Sequence, residues 1–489
     1  MSAGGEGPRA AAGVPAIYRT PDAPDLEGNP FAEALPPPVP DVDLPKRLRR
    51  RVARRPGDVA LDPSRRAELV LQILEVVQPL SIHFVLHRRL AAMLRAGYAG
   101  RNPVAREALR FLAEEDYRGH RTSAPAPIAP PRQALGLTAI GYSGVGKTRS
   151  VQAALAPFPQ VISHRRYRGR PFLQEQLVWL HLDVPHDASL KSLCFAFFHA
   201  VDELLDTRYY DLYARSTPNT DAMVPHMGRV ARLQGLGLLV IDEVQHLWRA
   251  PGDGRLKVLN FLVGLMNRVG VPVLFVGNEE ARGLLAEDPR HARRATTLGE
   301  VRFEPLPNDD EFALLCDALL EHQYLKDPVP FGTWPPAPDT AELVAALHER
   351  SRGLPGAAAS LLVIAQFRAL ERGLERLTPE IVRRAALVEQ SELRKHLDEL
   401  QKRLALRHLR PVVRSGASDG APAVAAGGPS AEPPAPAAAP AVPERRSRRP
   451  AASVVNELVE AAEAGDREGL SAHDALEAAG FIRTMVDGE

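Results

Sequence analysis

The apolar positions of the chain fall into two kinds of run. Short, nearly uninterrupted ones occupy residues 135–140, 177–184, 236–241 and 271–278, with a briefer one at 300–303. Their length and their content of β-branched residues are those of strands covered on both faces, as in a parallel sheet. Between them apolar residues recur every three or four positions, which predicts helices over 149–155, 189–205, 221–233 and 256–269. Strands alternating with helices predict an α/β domain over residues 133–305, built on a parallel five-stranded sheet flanked by helices. From Asn308 to about residue 407 the pattern is helical throughout, which predicts an all-α lid domain over 306–410. In it Asp339 and Thr378 read as N-caps, Pro379 as a first helical residue and Gly353 as a stop.

The flanks read differently. Residues 1–45, with LPPPVPDVDLP among them, are too rich in Pro, Gly and Ala to bury a core of their own and predict a disordered arm. Residues 46–132 begin with KRLRRRVARR, where seven of ten residues are basic. That run suits either a phosphate-contacting arm or the solvated face of a helix. One or two helices follow over 67–93, then a break at 95–103, a further helix over 104–112 and a Pro/Ala linker over 123–132. At the other end, 411–450 is an Ala/Pro-rich linker, and 451–489 regains helical periodicity as a short docking segment or a helical tail. In 489 residues, 25% charged residues against 45% hydrophobic ones describe a multidomain globular protein. The formal charge of +1 leaves any attraction to nucleic acid to local patches. The two cysteines, Cys194 and Cys316, lie far apart within helical patterns, which argues against a disulfide framework or a zinc site. No apolar run approaches the roughly 20 residues of a membrane span, and no signal-peptide core is present, so a cytoplasmic protein without a membrane partner is expected.

The chemistry centres on GYSGVGKT, comprising Gly141, Tyr142, Ser143, Gly144, Val145, Gly146, Lys147 and Thr148. This spacing turns the chain tightly out of a strand and aims successive backbone N–H groups, then a helix N-terminus, at phosphate oxygens. Lys147 adds a point charge for the β- and γ-phosphates, and the Thr148 hydroxyl is suited to Mg²⁺, so ATP and Mg²⁺ are the expected cofactors. The run 236–241 delivers Asp242 and Glu243 to the strand edge where ligands of parallel sheets sit. Asp242 is placed to hold the metal with Thr148, and Glu243 to polarise an attacking water. The run 271–278 ends in Asn278, suited either to a turn or to sensing the γ-phosphate. Arg290, Arg293 and Arg294 are candidates for an arginine that reaches a neighbouring subunit's nucleotide, with a plain basic turn as the alternative. In the loop SHRRYRGRPF at 163–172, Arg165 and Arg166 suit contact with duplex DNA or with a neighbouring subunit, with an ordinary exposed basic loop as the alternative, and Lys191 of DASLKSL is a further candidate for DNA contact.

A phosphate loop, a strand ending in Asp-Glu, a strand ending in Asn, then arginines and a helical lid resemble, in that order, the layout of AAA+ ATPases. More narrowly, GYAGRNP, RRYRGRPF, QLVWLHLDVPHDASLKSLCFAFFHAVD, GLGLLVIDEVQHL and LNFLVGLMNRVGVPVLFVGNEEA are similar to TnsC, the transposon ATPase related to TniB and MuB. The resemblance spans residues 82–406. It implies an ATP-dependent regulator of cut-and-paste transposition that oligomerises as a ring or filament on target duplex DNA. Such a protein receives a signal from a target selector or an RNA-guided complex, activates the transposase, and resets by slow hydrolysis. In many AAA+ lids an Arg follows the Gly-x-x-Gly at the start of a lid helix; GLPGAAAS at 353–360 has Ala357, Ala358 and Ala359 instead, which favours a slow switch over a motor. Two other readings stand beside it: an ATP-gated DNA scaffold with little hydrolysis, against which Glu243 counts, and an origin initiator or helicase loader, which a Pro/Ala linker after the lid does not favour.

Overall fold

The computed structural model of the chain describes residues 13–105, 135–215, 220–249, 254–286, 293–388, 395 and 397. Residues 1–385 form one compact unit and residues 386–489 a second. In chain order the elements are β1 (Val14–Pro15), α1 (Pro30–Glu33), α2 (Leu44–Leu48), α3 (Pro63–Val70), α4 (Ser81–Ala99), β2 (Gly136–Gly141), α5 (Lys147–Leu155), β3 (Val161–Tyr167), β4 (Arg170–Leu177), β5 (Trp179–Asp183), α6 (Leu190–Leu205), α7 (Thr220–Leu233), β6 (Leu238–Asp242), α8 (Gly254–Arg268), β7 (Val273–Gly277), α9 (Glu279–Ala286), β8 (Glu300–Phe303), α10 (Asp310–Leu320), α11 (Pro338–Ser351), α12 (Pro355–Glu371) and α13 (Pro379–Val388).

The expected sheet is present: five parallel strands in the order β5-β6-β7-β2-β8. Its central strands are apolar throughout because both faces are covered. Leu239, Ile241, Val273 and Phe275 share a core with Phe197 and Phe198 of α6, Met227 of α7 and Leu262 of α8. Each such side chain removed from water contributes roughly 1.5–3 kcal/mol. α4 lies along α5 and reaches β8: it buries Leu86, Leu90, Met93 and Leu94, and Arg89 Nη1 donates to Glu300 O. This order places β2 between β7 and β8, so the loop after β2 opens at the C-terminal edge beside the ends of β6 and β7. The lid of α10 to α13 follows, with Phe312, Leu319, Leu343, Leu347, Leu361 and Leu362 buried.

Four local readings are corrected. The expected arm at 1–45 is folded wherever the structure describes it, from residue 13 onward: β1 pairs with β3, Phe31 and Leu35 are buried, and Asn29 Nδ2 donates to Tyr98 O at 2.7 Å. It has no core of its own and uses that of the body, which its composition alone does not reveal. The basic loop at 163–172 is an antiparallel hairpin, β3 and β4, turning at Arg168 and Gly169, both with positive φ. The break expected at 95–103 is instead the continuation of α4 to Ala99, because Tyr98 is a buried anchor whose hydroxyl donates to Gly235 O. Asp339 lies in the first turn of α11 rather than at its cap, Ala337, whereas Thr378 caps α13 as expected by accepting from the Ile381 N–H. Among the described residues no single helix is long and apolar enough to cross a membrane. Residues 106–134 and 398–489, with their linkers and the docking segment at 451–489, lie outside the described residues apart from the fragments named above.

Candidate nucleotide site

β2 ends at Gly141, and the loop that follows turns through Gly144 at φ +80° and Gly146 at φ +91° into α5. Those left-handed angles are open to glycine at no steric cost, and they leave the N-terminus of a nine-residue helix facing the loop. Lys147 Nζ donates to Gly141 O and Tyr142 O, each at 2.9 Å, so its charge sits inside the loop. Burial lowers the Lys147 ammonium from its ordinary range, against the carboxylates of Glu243, Asp242 and Glu279.

Strand register brings the partners to the same edge. Asp242 pairs with Asp183 at the ends of β6 and β5, and Gly277 pairs with Ile140 of β2. Thr148 Oγ1 donates to Asp242 Oδ2 at 2.7 Å. Asp242 is only 1% exposed. Burial pushes its carboxyl up, but hydrogen bonds from His181, Thr148 and the Glu243 N–H outweigh that and hold it below its ordinary value, as the anion. An anionic carboxylate fixed beside a hydroxyl is an all-oxygen donor pair that fits Mg²⁺. His181, which sequence reasoning missed, lies 3.3 Å from Asp242 Oδ2 through Nε2 and 3.7 Å from Asp183 Oδ1. Its signal was a lone imidazole inside the apolar run of β5.

Glu243 follows Asp242 with φ +56°, an unfavourable angle for a side chain of this size. The Glu243 N–H donates to Asp242 Oδ1 at 2.7 Å, and the chain then enters a short 3-10 turn over Val244–Arg249. The carboxylate accepts from Gln245 Nε2 and lies 3.9 Å from His246 Nε2. Asn278 caps α9: its Oδ1 accepts from the N–H groups of Glu280 and Ala281, while Nδ2 faces Glu280 Oε2 at 3.4 Å. Asn278 thus follows the end of β7 as the cap of α9.

The lid reaches the loop directly. Gly356 N–H donates to Gly144 O at 3.1 Å, and Gly353, at φ +74°, packs so closely on Leu306 that a Cβ there would overlap the Leu306 carbonyl oxygen. Ala357 and Ala358, in the first turn of α12, are buried. Arg293 and Arg294 are not brought to the loop. Their backbone lies at the opposite end of β2, where Gly136 abuts Arg294 O and Thr138 Oγ1 donates to Ala295 O at 2.9 Å. The length of β2 separates them from the phosphate loop by about 17 Å. Arg290 lies outside the described residues. Arg165 and Arg166 sit exposed on β3, and Lys191 is exposed in the first turn of α6 with Nζ 5.4 Å from the Phe195 ring.

These features have a counterpart among known families. Residues 132–285 match a family model described as an AAA domain. The chain carries an AAA domain with the AAA+ P-loop fold; it binds ATP with Mg²⁺ and hydrolyses it. No curated protein sequence matches. Among solved structures it is similar to the ORC1 protein of Aeropyrum pernix in complex with DNA, at 19% identity over 67% of this chain and 69% of that one, TM-score 0.40. It is similar to a Walker-type ATPase of Pyrococcus abyssi at 17% identity, over 56% and 72%, TM-score 0.36. The ORC2 protein of Aeropyrum pernix, in ADPNP and ADP complexes, is 13% identical over 52% and 61%, TM-score 0.36.

Proposed function

We propose that the chain is an ATP-gated regulator of cut-and-paste transposition that oligomerises on target duplex DNA and links a target selector to the transposase. The observation that carries the oligomer is the position of Arg293 and Arg294 at the far end of β2 from their own phosphate loop. An arginine from that end completes a nucleotide site only on a neighbouring copy, which makes nucleotide state and assembly one linked equilibrium. The transposition role rests on the likeness of five long sequence phrases to TnsC.

In this reading the loop amides and Lys147 bind the phosphates. Thr148 and Asp242 would hold Mg²⁺, which supplies charge neutralisation between the phosphate oxygens when bound. Glu243 takes the proton of the attacking water, and Asn278 Nδ2 orients that water from the neighbouring strand end. Arg165 and Arg166 on the hairpin and Lys191 on α6 contact the DNA backbone, giving sequence-tolerant, salt-sensitive binding. The buried alanines at 357 and 358 fit slow, regulatory turnover.

The test is electron microscopy of the full chain on linear duplex DNA, with and without a non-hydrolysable ATP analogue. Rings or filaments are expected only with the analogue, and Lys147→Ala is expected to form none in either condition. Assembly by Lys147→Ala equal to that of the unaltered chain overturns the ATP gate.

A further inference from the structure

An imidazole and two carboxylates meet on one face of the sheet at its C-terminal edge. His181 and Asp183 lie two residues apart on β5, and Asp183 pairs in register with Asp242 of β6, so all three side chains leave the sheet on the same side. His181 Nε2 stands 3.3 Å from Asp242 Oδ2 and 3.7 Å from Asp183 Oδ1. One ligand atom from each of the three lies within 4.8 Å of the other two. His181 is mostly buried, whereas Asp183 is exposed and able to turn towards an ion.

These spacings are long for N–H···O hydrogen bonds, which cluster between about 2.7 and 3.2 Å. They match the edge of a coordination polyhedron: with ligand bonds of about 2.1 Å, two corners of a tetrahedron stand about 3.4 Å apart. A nitrogen with two carboxylate oxygens suits a borderline transition dication, whereas Thr148 with Asp242 is an all-oxygen pair suited to Mg²⁺. Cys194 and Cys316 are both fully buried, so no thiolate competes for such an ion. Asp242 Oδ2 is the oxygen that faces His181, and it is also the one that accepts from Thr148.

We infer that His181, Asp183 and Asp242 form a site for a transition dication of the Zn²⁺ class, and that this ion and the Mg²⁺ of the nucleotide exclude one another because both need Asp242 Oδ2. Three protein ligands leave the fourth position to water. Zinc bound on the β5 side draws Asp242 off Thr148 and disables the Mg²⁺ site without touching the phosphate loop, so the metal switches hydrolysis off. The site stands on its three donors; the exclusion rests on Mg²⁺ being held by Thr148 and Asp242.

Co²⁺, whose visible absorption reports its ligands, and Zn²⁺ are the probes, titrated into the full chain without nucleotide. A Co²⁺ spectrum that Zn²⁺ abolishes is expected. His181→Gln keeps an amide that can donate to Asp242 but removes the imidazole ligand, and Asp183→Asn alters an exposed strand end. Each is expected to weaken binding at least tenfold, with its thermal midpoint in the absence of metal checked against the unaltered chain. Equal binding by His181→Gln and the unaltered chain overturns the site, since the ion is then held elsewhere among the chain's 15 histidines. Absence of a Co²⁺ spectrum from the unaltered chain overturns it as well. ATPase assays in excess Mg²⁺ read the exclusion: Zn²⁺ is expected to inhibit the unaltered chain, to lose its effect as Mg²⁺ is raised, and to need at least tenfold higher concentration to inhibit His181→Gln by the same fraction. Zinc that binds through His181 yet leaves hydrolysis untouched overturns the exclusion. Normal turnover by Asp242→Asn is a different failure: it removes the Mg²⁺ assignment itself, whatever the His181 variant does.

Discussion

Three hydrogen bonds connect residue 80 to the phosphate loop through a single imidazole. The Leu80 N–H donates to His83 Nδ1, His83 Nε2 meets Ser150 Oγ at 3.1 Å, and Ser150 Oγ donates to Gly146 O. An imidazole whose Nδ1 accepts carries its proton on Nε2, so this relay exists only in the neutral form. Burial lowers His83 from 6.5 to about 4. The stability this group contributes is therefore complete above pH 6.5 and is lost as pH falls towards about 4, where the folded protein must accept a proton it has no place for. The expected outcome is a fall in thermal midpoint between pH 6.5 and 4 that is smaller in His83→Leu than in the unaltered chain. At pH 7.5 that variant is less stable by about 1–3 kcal/mol, because the Leu80 N–H is left buried without a partner. Parallel pH curves for the two proteins would show that the relay contributes nothing.

At the scale of elements, Asn278 serves two of them at once, ending β7 and capping α9, and two substitutions separate those duties. Asn278→Ala removes the cap and the amide together; it is expected to cost about 1 kcal/mol of stability and to slow turnover. Asn278→Asp keeps an oxygen for the Glu280 and Ala281 N–H groups, so stability is expected to hold while turnover still falls, because Nδ2 is gone. Chemical denaturation and ATPase assays on the same preparations read the two effects. If Asn278→Asp hydrolyses ATP at the normal rate, Asn278 is a cap and nothing more.

The same elements show what the sequence could express. β2, β6 and β7 are legible because both faces of a central parallel strand are covered, leaving runs of apolar residues that lead into the residues of the site. Gly141, Gly144, Gly146, Lys147 and Thr148 are legible because phosphate binding fixes their types at fixed spacing. His181 is not, since its contact to Asp242 joins two strands that folding alone brings together. The arm from residue 13 to 45 is hidden for the same reason: the partners of Phe31 are Tyr98, His164 and Phe172, all distant in sequence. The hairpin of β3 and β4 is hidden because a register shift between His164 and Arg166 leaves two consecutive exposed arginines, Arg165 and Arg166, between the buried His164 and Tyr167, which breaks the period of two.

For the molecule as a whole, the residues before α4 bind the lid to the body. Arg66 of α3 is 1% exposed and holds Glu375, just past α12, through two hydrogen bonds of 2.7 and 2.9 Å, and it also donates to Tyr324 O. Ser81, at the start of α4, donates through both its N–H and its hydroxyl to Glu311 of α10. The arm and α4 pack on the α/β body, so the lid that touches Gly144 is held by the chain that precedes the phosphate loop. Hydrogen bonds from Arg66 pull the Glu375 carboxyl down to about 2 from 4.5. Its contribution to stability is present above pH 4.5 and disappears as pH falls towards about 2. At neutral pH, Glu375→Ala strands a buried guanidinium, a change that costs about 3–5 kcal/mol when both partners are enclosed. The Glu375 side chain is 33% exposed, so water supports part of the charge and the expected loss lies at the lower end, about 3 kcal/mol. Replacing both residues, as Arg66→Met with Glu375→Leu, removes the charge along with its partner and is expected to recover most of that loss in urea denaturation. Recovery identifies the pair as a device for placing the lid; a double variant as unstable as Glu375→Ala would mean that Arg66 is needed for its hydrogen bond to Tyr324 O rather than for the ion pair.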